Sequence, residues 1–291
     1  MTSAGALREP LERLYRDFDY DARLGRDAIR YPLRYADPAD RELVALLTAC
    51  LAYGRVDLFG RQLDGVFAAM GPAPAAFVRD FDPRRDGRRF DGFLYRFNRP
   101  RDLVAFCVAA RDALARWGTL EKCFLAGDAE PRGPIAPALE RFARAFLEAD
   151  LGDVFPRGRL SRGYRHLFPL PSGGGPCKRL LLFLRWMVRR EPPDFGAWTG
   201  VSPARLLIPI DTHVENMSRA IGLTRRRSRT WKMAEEITAR LARLDASDPV
   251  KYDFALCHTR MAGDCLDRRD AVVCPPCGLR GVCRHWKGRR R

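Results

Sequence analysis

Leu167-Phe168-Pro169-Leu170-Pro171-Ser172-Gly173-Gly174-Gly175-Pro176-Cys177-Lys178-Arg179-Leu180-Leu181-Leu182-Phe183-Leu184-Arg185-Trp186-Met187 joins a turn rich in proline and glycine to an apolar run. Its first half, with two prolines and three consecutive glycines, breaks any regular element; its second half is strongly apolar and reads as a buried helix. Pro176 is expected in the first turn of that helix, where a missing N–H costs nothing. A glycine turn entering a helix N-terminus leaves backbone N–H groups free at the positive end of the helix dipole, an arrangement that binds phosphate. Without a ligand the same pattern is an ordinary connection between helices.

On either side of this stretch, apolar residues recur at three- and four-residue steps, and no sustained alternation or internal repeat occurs, which predicts an all-α chain. Leu43, Leu46, Leu47, Cys50 and Leu51 form one buried face; Val66, Phe67 and Met70 belong to the next helix, which stops at Gly71 and Pro72. Further helices are expected over Leu103–Trp117, Ile135–Ala149 and Trp231–Leu244. Phe81–Asp91 and Ala126–Pro134, rich in Gly, Pro and charge, read as loops.

Two further stretches carry chemistry. In Ile208-Pro209-Ile210-Asp211-Thr212-His213-Val214-Glu215, Thr212 and Glu215 fit a capping box, which places Asp211 just outside a helix N-terminus, where a carboxylate stays ionised. As local structure alone, Asp211 is a helix-capping residue. Near the C-terminus Cys265, Cys274, Cys277 and Cys283 are spaced C-x8-C-x2-C-x5-C in a segment containing Pro275, Pro276 and Gly278. Four thiolates in one compact loop can hold a [4Fe–4S] cluster or a tetrahedral zinc, and spacing alone does not separate the two. Cys50, Cys107, Cys123, Cys177 and Cys257 lie in apolar stretches and read as small buried hydrophobes, while His258 and His285 read as ordinary polar residues beside the four-cysteine segment.

The 291 residues, 46% hydrophobic and 30% charged, are enough for a substantial core, and the composition excludes intrinsic disorder. No apolar run reaches the roughly 20 residues of a membrane helix, since Leu180–Val188 is interrupted by Arg185. Met1–Arg16 carries Arg8, Glu9, Glu12 and Arg13 where a signal peptide needs an uncharged run, so the expected place is the cytoplasm. With 52 basic against 36 acidic residues the net charge is +16, which favours a polyanion such as nucleic acid. Almost all of it is arginine. Lysine occurs only at Lys122, Lys178, Lys232, Lys251 and Lys287, so chemistry that needs an amine has few candidates.

In order, the glycine hairpin, the aspartate in Ile210-Asp211-Thr212-His213-Val214 and the four-cysteine loop resemble the helix-hairpin-helix DNA glycosylases, in particular their endonuclease III-like iron–sulfur branch. The resemblance covers most of the chain: Arg41–Cys50 is similar to the first helix of that superfamily's barrel, and Tyr252–Leu256 leads into Cys265 as its last helix leads into the cluster. Arg185–Arg189 and Asp248–Tyr252 resemble a bacterial subgroup whose function is unassigned.

This implies two helical domains: a six-helix barrel over 41–204, with the helix-hairpin-helix near 158–190, and a second domain from 1–40 and 205–291, with the cluster loop at 265–283. It further implies a monomer that acts on double-stranded DNA at the bacterial nucleoid. Asp211 would stabilise positive charge on the deoxyribose as a damaged or mismatched base leaves. Lys178 would be the amine for an AP-lyase step. Gly173, Gly174 and Gly175 would hold phosphate, and Tyr53 and Arg55 would fill the gap left by an extruded base or line its pocket. The arginine runs Arg225, Arg226, Arg227, Arg229 and Arg289, Arg290, Arg291 would attract the backbone without regard to sequence.

The chain departs from that pattern twice. The first cysteine gap is eight where the superfamily has six, and Cys177 stands at the lysine position with Lys178 one place later, about 100° further round a helix. Lys178 therefore reaches the site only if the hairpin is also one residue longer. Two rival readings are a non-catalytic DNA- or RNA-binding protein of the same fold and a scaffold protein with a zinc-ribbon tail.

Overall fold

The computed structural model describes residues 1–156 and 158–288. Its principal helices are α1 Ala4–Arg16, α2 Pro38–Leu51, α3 Val56–Met70, α4 Pro100–Trp117, α5 Ala136–Leu147, α6 Arg162–Leu167, α7 Lys178–Val188, α8 Thr212–Ala220, α9 Trp231–Leu241 and α10 Asp253–Met261. No strand occurs among the described residues, so the chain is all-α. No helix among them is long and apolar enough to cross a membrane.

Helix α7 is the axis of the molecule. Arg179 through Val188 are all buried, and α7 packs against α2, whose Asp37 caps it by accepting from the N–H groups of Ala39 and Asp40 at 2.9 and 3.0 Å. A helix that is apolar all round must be central. Arg185 of α7 and Arg189 at its C-cap are neutralised by carboxylates: Arg185 pairs with Asp194 at 3.1 Å and with Asp253, and Arg189 with Asp248 at 2.9 Å and with Asp194. The segments Arg185–Arg189 and Asp248–Tyr252 thus meet in one buried ion network.

Three expectations change. Pro176 lies outside α7, which begins at Lys178. Cys177 is its N-cap, in the left-handed region at φ 42°, ψ 30°, and that reversal of the chain replaces the helical turn expected at Pro176. At α8, Asp211 itself is the N-cap, so Thr212 is the first helical residue and no Thr212–Glu215 capping box forms. Thr212 accepts from Arg229 at 2.6 Å, and Glu215 pairs with Arg219 at 2.8 Å. Phe81–Asp91 holds two short helical turns, Pro83–Asp86 and Gly87–Phe90, because Asp82 caps the first by accepting from the Arg84 and Arg85 N–H groups.

The N-terminal segment packs on residues 222–252. Arg8 donates to the carbonyls of Leu244 and Arg243 at 2.8 and 3.0 Å, Thr2 N–H donates to Gly222 at 3.3 Å, and the Tyr252 hydroxyl donates to Glu12 at 2.5 Å. One hydrophobic cluster runs from Leu7 to Val282.

Candidate active site

The reversal at Cys177 decides where Lys178 points. The Lys178 side chain meets the start of α8, and its Nζ lies 3.8 Å from Asp211 Oδ2. Asp211 Oδ1 accepts from the N–H groups of His213 and Val214 at 2.8 and 2.9 Å, and the Cys257 thiol donates to Oδ2 at 3.6 Å. Burial pushes the Asp211 carboxyl up, but the Lys178 ammonium, the Val214 N–H, His213 and the Cys257 thiol outweigh it and hold it below its ordinary value. Asp211 and Lys178, each about a quarter exposed, form a fixed charge pair open to a ligand.

Behind the pair lies a cavity of about 110 Å3, several times the roughly 15 Å3 that one water needs, with Asp27, Asp253, Cys257 and His258 in its wall. Two sequence readings are corrected here. Cys257 is not merely a small hydrophobe, since its thiol faces Asp211. His258 is buried rather than an ordinary surface group: its Nε2 lies 2.8 Å from Asp27 Oδ2 and its ring stacks on Phe254 at 4.0 Å. Burial raises the Asp27 carboxyl, but His258 and the Ile29 N–H more than compensate and leave it lowered. Burial lifts Asp253 to about 6. Asp27, Asp253 and His258 carry no motif that separates them from structural residues, and only their convergence marks them.

The hairpin's N–H groups divide into two sets. Those of Gly173 and Gly174 close the turn on the carbonyls of Leu170 and Pro171 at 3.0 and 2.9 Å, and that of Ser172 donates to Glu140 at 3.0 Å. Gly175 lines the cleft together with Cys177 and Lys178, and the N–H groups of these three residues have no protein acceptor among the described residues. Gly173 and Gly174 therefore shape the turn, and a phosphate would meet Gly175 and the start of α7.

Tyr53 forms the opposite wall of the cleft. Its ring packs on Tyr95, Phe97 and His166 at 4.9, 5.8 and 4.8 Å, and its hydroxyl donates to Asn98. These contacts fix it as a lining residue. Arg55 is exposed, paired with Asp57 at 2.9 Å. Arg229 lines the cleft, while Arg225, Arg226 and Arg227 are exposed and do not line it, Arg226 pairing with Glu236 at 2.6 Å; Arg289, Arg290 and Arg291 lie outside the described residues.

Cys265, Cys274, Cys277 and Cys283 are half-buried in one loop. Burial raises the thiols of Cys265 and Cys277, and neighbouring cysteines of the set raise both further. The Asp270 N–H donates to Cys274 Sγ at 3.3 Å, a contact that favours a thiolate. Among the described residues no three Cys, His, Asp or Glu side chains converge at metal-binding distance. The donor types in the loop, four thiols with an N–H directed at one of them, are those a four-sulfur centre uses.

A family profile described as "Protein of unknown function (DUF2400)" matches residues 27–262. No curated protein and no solved structure matches the chain.

Proposed function

We propose, from the charge pair in the cleft of this member of the DUF2400 family, whose description assigns no function, that the protein is a DNA glycosylase of the helix-hairpin-helix type, which excises a damaged or mismatched base. The observation that carries this reading is the Lys178–Asp211 pair, 3.8 Å apart, beside the free N–H groups that open α7. Support for the two-domain division comes from the N-terminal helix α1, which docks on the segments around Leu244 and Tyr252.

As the bond from C1′ to the base nitrogen breaks, its electron pair leaves with the base, which takes up a proton. Positive charge then grows on the sugar, and the Asp211 carboxylate, kept ionised by its neighbours, stabilises it. Capture of C1′ by water, with loss of a proton, ends the reaction at an abasic sugar. Capture by the Lys178 amine, with loss of its protons and opening of the sugar ring, gives an imine from which strand cleavage follows. Gly175, Cys177 and Lys178 would hold the phosphate beside the extruded nucleotide, and Tyr53 would face the sugar or base. Cys265, Cys274, Cys277 and Cys283 would hold a [4Fe–4S] cluster, or zinc in its place, which would pin the C-terminal loop. A brown protein containing equal iron and sulfide supports the cluster; a colourless protein containing zinc excludes it.

The test incubates the protein and its Asp211→Asn variant with duplex oligonucleotides carrying oxidised, deaminated, alkylated or abasic sites, with and without borohydride. Base release that falls at least 100-fold in Asp211→Asn is expected. A borohydride-trapped adduct lost in Lys178→Ala establishes the lyase step. Absence of release from the whole panel by a folded protein that still binds DNA overturns the enzyme in favour of a non-catalytic binder.

A further inference from the structure

Beside the inner cavity, and sharing with it Gly54, Val56, His213, His258 and Met261, is an outer cavity of about 710 Å3 with four arginines in its wall: Arg23, Arg26, Arg30 and Arg55. Asp57 is the one carboxylate there. Three of the four arginines come from the segment before α2. The helical turn Asp21–Leu24 and the 3-10 turn Ala28–Arg30 are joined at Asp27, whose carboxylate turns inward to His258 and the Ile29 N–H and leaves its neighbour Arg26 exposed at the outer cavity.

Three of these guanidinium groups, those of Arg23, Arg26 and Arg55, are weakly engaged. Arg23 pairs with the exposed Asp264 at 3.1 Å and Arg55 with the exposed Asp57 at 2.9 Å, both surface contacts that solvent screens. Arg26 has no acceptor among the described residues, whereas Arg30 donates to the Gly25 carbonyl at 2.5 Å and the Tyr31 hydroxyl at 3.2 Å, with only its buried Nε left without an acceptor. Guanidinium donors that can leave such partners for a phosphate suit a polyanion better than a neutral ligand.

We infer that this arginine-lined cavity is a second phosphate site, which holds the DNA backbone on the side of the Lys178–Asp211 cleft away from the glycine hairpin. It rests on the reading of DNA as the substrate. Its continuity with the inner cavity favours consecutive phosphates of one strand: the hairpin end of α7 takes one, the arginines take those on the other side, and the nucleotide between them faces Asp211.

The experiment measures binding alone, so it separates this site from the glycosylase reading. Fluorescence anisotropy would follow the full chain binding a duplex with a tetrahydrofuran abasic analogue, over a series of salt concentrations. The double variant Arg26→Ala/Arg55→Ala is compared with Arg79→Ala/Arg116→Ala, which removes the same charge at residues that line neither cavity. Each lost phosphate contact flattens the slope of log K against log salt by about 0.9, so the cavity variant is expected to lose about two and to bind at least tenfold more weakly, with the control little changed. Equal effects in both variants reduce the site to net charge and overturn it. So does unchanged duplex binding accompanied by loss of inorganic phosphate or deoxynucleoside monophosphate binding, which would make the cavity a free-nucleotide site. Full loss of slope by a protein that excises no base leaves the phosphate site standing and removes the enzyme.

Discussion

At Asp211 several partners converge on one carboxylate: two N–H groups on Oδ1, and a thiol and an ammonium on Oδ2. Its lowered pKa means that stability and charge-based function are both present above the ordinary carboxylate range and are lost as pH falls through the lower folded value. The acid limb of base release is therefore expected below pH of about 3.9, within the limits of acid stability. Cys257→Ala removes a donor to the ionised form, worth on the order of 1 kcal/mol, and moves that limb upward by up to about one pH unit. Cys257→Ser, which keeps a donor, restores it. A pH–rate profile of the three proteins decides; no movement in Cys257→Ala would reduce the thiol to packing. The role of Cys257 was not legible in the sequence, because a cysteine in an apolar helical stretch looks the same whether its thiol meets a methyl group or a carboxylate.

Among the elements, α2 shows how a helix recognisable from its own periodicity is anchored by contacts that periodicity does not record. The apolar face through Leu43, Leu47 and Cys50 is legible as a helix interior. Glu42, one residue earlier, is buried, and its carboxylate accepts from the N–H groups of Leu120 and Glu121, both at 2.9 Å, and from the Trp198 indole at 2.6 Å. It ties α2 to the start of the short helix Leu120–Ala126 and to the strap after α7. Glu42→Ala leaves three buried donors without an acceptor and is expected to cost about 3 kcal/mol or more, while Glu42→Gln, which keeps the shape and one acceptor oxygen, costs less. Chemical denaturation measures both. The hairpin before α7 teaches the same point: its glycines were readable as a turn, but which N–H groups face outward depends on Glu140 and on the left-handed Cys177.

Across the whole molecule, α7 is held to the C-terminal segments by two arginines facing three carboxyls, Asp194, Asp248 and Asp253. With one more carboxyl than guanidinium, the network favours an added proton, and burial raises all three carboxyls, Asp253 to about 6. A raised carboxyl takes up a proton in the folded state first, so its contribution to stability grows as pH falls through about 6 toward the unfolded value near 3.9. Asp253→Asn, neutral throughout, is expected to lose that pH dependence, so the difference in Tm between wild type and variant should change across this window; parallel curves would exclude it. Breaking the network with Arg189→Met strands Asp248 and is expected to cost roughly 3–5 kcal/mol.

What the sequence determined by itself is what neighbouring residues record: the helical class from three- and four-residue periodicity, the turn at the glycines, the short-range grouping of the four cysteines, and Asp211 and Lys178 as residues to watch. Which distant side chains meet follows from the packing of the helices. The 3.8 Å approach of Lys178 to Asp211, the His258–Asp27 pair and the arginines around the outer cavity join residues far apart in sequence. The physical reason is that helix periodicity fixes which face of an element is buried, whereas the partner of a buried polar group is set by how the elements pack around α7.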